Sequence, residues 1–114
     1  MTVLIVDDNA AVRSLIARLI APITTDVREC SGGAEAIDAC TRHCPDVVLM
    51  DLAMPGLDGI AATRVIRASH PAVRVLIVTD HDGADLREAA ARAGAAGYVV
   101  KDNLLELRQL LTEH

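Results

Sequence analysis

The sequence predicts a doubly wound α/β domain, a five-stranded parallel sheet in the order 2-1-3-4-5 with helices on both faces. Three observations carry this. Short, wholly apolar runs such as Val3-Leu4-Ile5-Val6 and Val47-Val48-Leu49-Met50 read as strands buried on both faces. Between them, apolar residues recur at helical spacing. Strand and helix alternate five times within 114 residues, a length that accommodates one core. Residues 1–114 are therefore read as a single domain. Right-handed crossovers place the first helix on one face and the next helices on the other, leaving a crevice between strands 1 and 3.

The elements follow in order. Val3 to Val6 is the first strand and ends in Asp7-Asp8; Asn9 is a helix cap. Val12, Leu15, Ile16, Leu19 and Ile20 mark the first helix, which Pro22 stops. Asp26 to Cys30 alternates and reads as a less buried edge strand, and Ser31-Gly32-Gly33 is a turn. Ala34 to His43 is the second helix, ending before Pro45. Val47 to Met50 is the third strand and delivers Asp51 at its carboxyl end. The loop from Leu52 to Asp58 carries Pro55 and Gly56, and Ile60 to Ser69 is the third helix. Val73 to Val78 is the fourth strand, ending in Thr79. Asp82, as cap, opens an alanine-rich helix through Ala93. Tyr98 to Val100 is the last strand, ending in Lys101, and Leu104, Leu107, Leu110 and Leu111 mark the final helix.

Composition excludes several classes. Hydrophobic residues make up 52% of the chain, but Tyr98 is the single aromatic, so the core is aliphatic. Sixteen acidic against eleven basic residues give a net charge of -5, which argues against nucleic-acid binding by this segment. No apolar run approaches the roughly 18 residues that span a membrane, and no signal-like segment opens the chain. The expectation is a cytoplasmic protein with reduced thiols at Cys30, Cys40 and Cys44. Cys40 and Cys44, four apart, are read as small hydrophobes on the apolar face of the second helix rather than as metal ligands.

The informative pattern is where the polar residues fall. In the predicted order, Asp7, Asp8, Asp51, Thr79 and Lys101 come from four neighbouring strands and meet at one end of the sheet. Two carboxylates about 4 Å apart repel by about 4 kcal/mol at an effective dielectric of 20. Such a site takes up a cation or a proton. Its donors are hard oxygens, which suit Mg²⁺ or Mn²⁺. Lys101 adds a fixed charge and Thr79 a hydroxyl, so the whole set forms a receptor for a phosphoryl group, with a carboxylate as the available nucleophile.

These residues, with the string Asp51-Leu52-Ala53-Met54-Pro55-Gly56-Leu57-Asp58-Gly59, resemble the receiver domains of two-component response regulators along the whole chain. The resemblance implies a flavodoxin-like fold and a signalling switch that catalyses only its own phosphorylation and dephosphorylation. It implies Asp51 as phospho-acceptor, Asp8 and Asp51 as side-chain ligands of Mg²⁺, and the Ala53 carbonyl as a third ligand. Asp7 then acts through a water of the metal's shell. Thr79 and Lys101 are similar to the hydroxyl and lysine that contact the phosphoryl oxygens, and Tyr98 to the aromatic that turns inward when Thr79 moves. The implied partner is a sensor histidine kinase, and the implied response is a change in the surface of the fourth helix, fifth strand and fifth helix. A homodimer is expected through that surface or through the first and fifth helices. Lys101-Asp102 resembles receivers with a LuxR-type helix-turn-helix output, so an output domain controlling transcription is expected beyond His114. Asp80 departs from the family's small residue: either it faces the pocket and repels a phosphoryl group, or it points to solvent. The first case leads to an alternative reading, a phosphorylation-independent interaction module.

Overall fold

The computed structural model describes residues 1–113. The strands are β1 (Thr2–Val6), β2 (Asp26–Cys30), β3 (Val47–Met50), β4 (Arg74–Thr79) and β5 (Gly97–Val100). The helices are α1 (Ala10–Ile20), α2 (Gly33–Arg42), α3 (Gly59–Ser69), α4 (Ala84–Arg92) and α5 (Glu106–Thr112). All strand pairs are parallel and the order is β2-β1-β3-β4-β5, as the alternation predicts.

Side chains alternate across each strand, so one sheet feeds two cores. Leu4, Val6, Val48, Met50, Val75 and Ile77 pack with Ala36, Cys40, Ala62, Ile66 and Ala90 on the side of α2, α3 and α4. Val3, Ile5, Val47, Leu49, Leu76, Val78 and Val99 pack with Ile16, Ile20, Leu107 and Leu111 on the side of α1 and α5. The central strand β3 is apolar and buried at every position because both its faces are covered. The edge strand β2 is only partly buried.

Local signals act largely as expected. The Asn9 side chain caps α1 by accepting from the amides of Ala11 and Val12. Pro22 sits in a single 3-10 turn, Ala21–Ile23, that follows the helix end. Three readings need correction. Asp82 does not cap α4; Gly83 holds that position without a side-chain bond, and Asp82 instead pairs with Arg87. Cys44 does not share the apolar face of α2. The helix ends at Arg42, so Cys44 falls past it and is exposed, while Cys40 is fully buried. The final helix is interrupted at its start: Lys101–Asn103 form a 3-10 turn and α5 proper begins at Glu106.

Candidate functional site

The carboxyl ends of β1, β3, β4 and β5 bring Asp7, Asp8, Asp51, Thr79 and Lys101 to one edge of the sheet. Backbone ladders run just past the strands and fix their positions. The Asp7 amide donates to the Cys30 carbonyl and the Asp51 amide to the Val6 carbonyl. The next two acids differ sharply. Asp7 is 2% exposed, whereas Asp8 is exposed to solvent, because successive side chains leave a strand on opposite sides. Asp51 is 4% exposed and Thr79 is fully buried.

One oxygen from each of Asp7, Asp8 and Asp51 lies within 4.8 Å of the other two. Lys101 Nζ sits 2.7 Å from Asp7 Oδ2 and 3.6 Å from Asp51 Oδ1. Asp7 Oδ2 is fully enclosed, and the Lys101 ammonium is its close partner. Asp7 Oδ1 accepts from the Asn9 amide, so the residue that caps α1 also anchors the acid before it. Asp51 Oδ1 accepts from the Leu52 amide at 2.9 Å. Thr79 Oγ1 accepts from the His81 amide at 3.4 Å.

The electrostatics follow from this crowding. Burial pushes the Asp51 carboxyl up, and the Asp7 charge adds to it; Lys101 and the amides of Leu52 and Ala53 pull the other way without cancelling it. For Lys101, burial lowers the ammonium, but Asp7, Asp51 and Asp80 outweigh it, so the net direction is up and the lysine stays charged. Three carboxylates beside a single ammonium leave uncompensated negative charge in a ring of hard oxygens, and that is what a small divalent cation satisfies. The residues present therefore fit Mg²⁺.

Two supports of the site were missed in the sequence. Gly59, the first residue of α3, packs so closely on β3 that a Cβ there would lie 2.0 Å from the Asp51 carbonyl oxygen. A glycine directly after the Asp58 cap, where helix propensity favours almost any other residue, was the available signal. Arg13, on α1, donates to the Asp7 carbonyl at 2.7 Å and pairs with Glu29. Tyr98 is half-buried, and its hydroxyl donates to the His81 carbonyl at 2.6 Å. Burial raises its phenol, opposed by Arg87 and reinforced by Asp82. A cavity of about 270 Å³ lies elsewhere, lined by Thr2, Arg28 and Arg42 near the amino end of β1, and Asp7, Asp8, Asp51, Thr79 and Lys101 do not line it.

Residues 3–112 match the response regulator receiver domain family. The chain belongs to that family. It is 41% identical over 103 residues to the response regulator UvrY of Escherichia coli K12, a match covering 89% of this chain and 47% of UvrY. It is likewise 41% identical over 101 residues to the response regulator GacA of Pseudomonas viridiflava, covering 87% and 47%. The receiver thus spans about half the length of these curated relatives. Among solved structures, a LuxR-family two-component response regulator from Aurantimonas superposes with a TM-score of 0.91 at 40% identity, covering 96% of this chain and 81% of that one. These likenesses bear out the predicted receiver family, the LuxR-like subfamily and the flavodoxin-like sheet order. No helix of the described residues is long and apolar enough to cross a membrane.

Proposed function

We propose that residues 1–114 are a single receiver domain that takes a phosphoryl group onto Asp51 from a sensor histidine kinase or a small phosphodonor. The observation that carries this reading is the buried Asp51 carboxylate beside two further acids, with the Lys101 ammonium 3.6 Å from its Oδ1. Asp8, Asp51 and the Ala53 backbone carbonyl would hold Mg²⁺ (or Mn²⁺), with Asp7 acting through water. When bound, the ion supplies positive charge against the phosphoryl oxygens.

The chain's own residues perform the remaining work. An Asp51 oxygen attacks phosphorus in line, and the donor's P–N or P–O bond breaks with its electron pair going to the leaving group. Lys101, held beside Asp51 by Asp7, offsets the charge spreading over the phosphoryl oxygens. The Thr79 hydroxyl donates to one of them. The acyl phosphate adds about 1.5 to 2 negative charges, and the α4–β5–α5 surface, including Tyr98, changes in response. Water attacking the acyl phosphate resets the domain, so its catalysis is confined to its own phosphorylation and dephosphorylation.

Asp80, the residue behind the phosphorylation-independent reading, is exposed to solvent, which supports the phospho-accepting one. The output is proposed to be transcription in the cytoplasm, through a helix-turn-helix domain rather than nucleic-acid contacts of this segment. The similarity to a LuxR-family regulator and to UvrY and GacA supports this. A homodimer through α1 and α5 or through α4–β5–α5 belongs to the same proposal; Leu15 on α1 and Leu105, 71% exposed, are apolar side chains available to it.

The test is mass spectrometry after incubation with Mg²⁺ and acetyl phosphate. Wild type gains one phosphoryl group and Asp51→Asn gains none. An unmodified wild type would overturn the reading.

A further inference from the structure

Asp7 is held at each of its polar atoms, and Arg13 supplies the one hold that the sheet cannot. The Asp7 amide donates to the Cys30 carbonyl, continuing the ladder between β1 and β2. Its Oδ1 accepts from the Asn9 amide, and its Oδ2 faces Lys101 at 2.7 Å. In a parallel ladder the Asp7 carbonyl would take the Gly32 amide, but β2 ends at Cys30 and Gly32 stands at the cap of α2. Arg13 Nη1 donates to that carbonyl at 2.7 Å. A side chain from α1 thus stands in for a strand that has turned away, and β1 carries its acids past the end of β2. Arg13 Nε also pairs with Glu29 on β2 at 3.1 Å, so one planar guanidinium bridges three elements. The arginine side chain is 19% exposed, which shields this pair more than an ordinary surface bridge.

The carbonyl that Arg13 grips belongs to the Asp7–Asp8 peptide, which is a rigid plane. Fixing its direction fixes the amide and Cα of Asp8. Asp8 is exposed, so packing does little to hold its carboxylate. One of its oxygens nevertheless lies within 4.8 Å of oxygens from both Asp7 and Asp51. The orientation of the peptide behind it brings it there. Charge by itself acts the other way, since a guanidinium close to a cation site repels the cation. Removing Arg13 therefore has opposite consequences for metal binding according to which effect governs.

We propose that Arg13 is a positioning residue for the cation site, holding the Asp7–Asp8 peptide so that the Asp8 carboxylate stands where a divalent ion is bound. The proposal rests on the reading that Asp8 and Asp51 hold Mg²⁺. Arg13 does not touch the ion and acts through the Asp7 carbonyl, with Glu29 fixing the guanidinium. Partners standing behind a metal's direct ligands commonly contribute ten- to a hundredfold to affinity. Arg13 reaches Asp8 through a peptide and not through its carboxylate, so a contribution of about three- to tenfold is expected.

The experiment titrates wild type, Arg13→Met, Arg13→Lys and Asp8→Ala with Mn²⁺, following the free ion by electron paramagnetic resonance, with Mg²⁺ added as competitor. Urea unfolding in EDTA establishes that each variant is folded at the titration temperature. The Mn²⁺ dissociation constant rises about three- to tenfold in Arg13→Met, although a nearby positive charge has been removed. It rises less in Arg13→Lys, which keeps the charge but cannot hold the carbonyl and Glu29 together as a planar fork does. A residue serving stability alone shifts the urea midpoint without moving the affinity of the folded protein. Affinity unchanged or raised in Arg13→Met overturns the positioning role and leaves the metal reading intact. Should Arg13→Met fail to fold, Arg13→Lys decides by the same criterion. Absence of Mn²⁺ binding in wild type, or binding that persists unchanged in Asp8→Ala, overturns the metal reading and the positioning role with it.

Discussion

Asp7 and Asp51 place two buried carboxylates against one ammonium, and the imbalance gives pH and metal dependence a definite sign. The folded-state carboxyl of Asp51 is raised by burial and by Asp7. Its contribution to stability is therefore fullest below the unfolded pKa and is lost as pH rises through the folded value. In metal-free buffer at neutral pH, Asp51→Asn removes that penalty and is expected to melt above wild type. Added Mg²⁺ reverses the order, since an ion at a hundred times its Kd stabilises the protein that binds it by about 2.7 kcal/mol. Thermal melts with EDTA and with Mg²⁺ check both halves; an Asp51→Asn protein that melts below wild type in EDTA contradicts the account. Lys101 carries the opposite role. Lys101→Met leaves Asp7 enclosed and unpaired, at a cost of about 2–3 kcal/mol. That is at or below the low end for unpairing a buried charge because water reaches the lysine. Urea unfolding in EDTA measures it, and Mg²⁺ restores part of the loss.

At the level of elements, the junction of β3 with α3 controls the site most tightly. α3 starts on the Asp58 cap, whose side chain accepts from the Ala61 amide, and its first residue rests against the Asp51 backbone. Gly59→Ala drives a Cβ to 2.0 Å from the Asp51 carbonyl oxygen, and backbone cannot yield as a flexible side chain does. A destabilisation of about 2–3 kcal/mol is expected from overpacking of this kind, together with weaker Mg²⁺ binding because Asp51 is displaced. Denaturant curves and metal titration read the two effects separately. Gly83, at the cap of α4, is the contrasting case: nothing lies within 4 Å of a Cβ built there. Gly83→Ser supplies the side-chain cap that α4 lacks and stabilises by a few tenths of a kcal/mol, about 0.3.

For the molecule as a whole, two aliphatic cores on opposite faces of one sheet make the thiols a readout of its integrity. Burial pushes the Cys40 thiol up to about 11, with Cys44 and Cys30 adding to it, and burial likewise takes Cys30 to about 11. Thiolate is the reactive form. A thiol-specific chromogenic reagent at neutral pH is expected to modify the exposed Cys44 quickly, Cys30 slowly and Cys40 only as fast as the α2 side of the fold opens. Equal rates at all three sites would mean that this core does not close as described. The same two-sided construction links the site to a distant surface. α1 and α5 are tied by Arg108, whose Nε donates to the Leu19 carbonyl at 2.7 Å. α4 and β5 are tied through Arg87 and Tyr98.

Much of this was legible in the chain. Val47-Val48-Leu49-Met50 is apolar at every position because its strand is covered on both sides, and that pattern is visible without coordinates. Five repeats of strand and helix leave few topologies, and the sheet order brings Asp7, Asp8, Asp51, Thr79 and Lys101 to one edge. What stayed hidden depends on angles and on backbone atoms. Asp82 or Gly83 as the cap of α4 is a difference of one residue, and the Asp82 carboxylate is engaged by Arg87 rather than by the helix amides. His81 bridges Thr79 and Tyr98 with its main-chain amide and carbonyl, groups that every residue carries and that leave no mark in a sequence. Burial periodicity and chain connectivity, both readable along the chain, specify the sheet, its order and the identity of the acids. The folded chain alone shows that Asp7 is enclosed against Lys101 while Asp8 faces solvent, that Gly59 presses on Asp51, and that Arg87 lies over Tyr98. Those outcomes turn on distances between elements far apart in the chain, which packing alone sets.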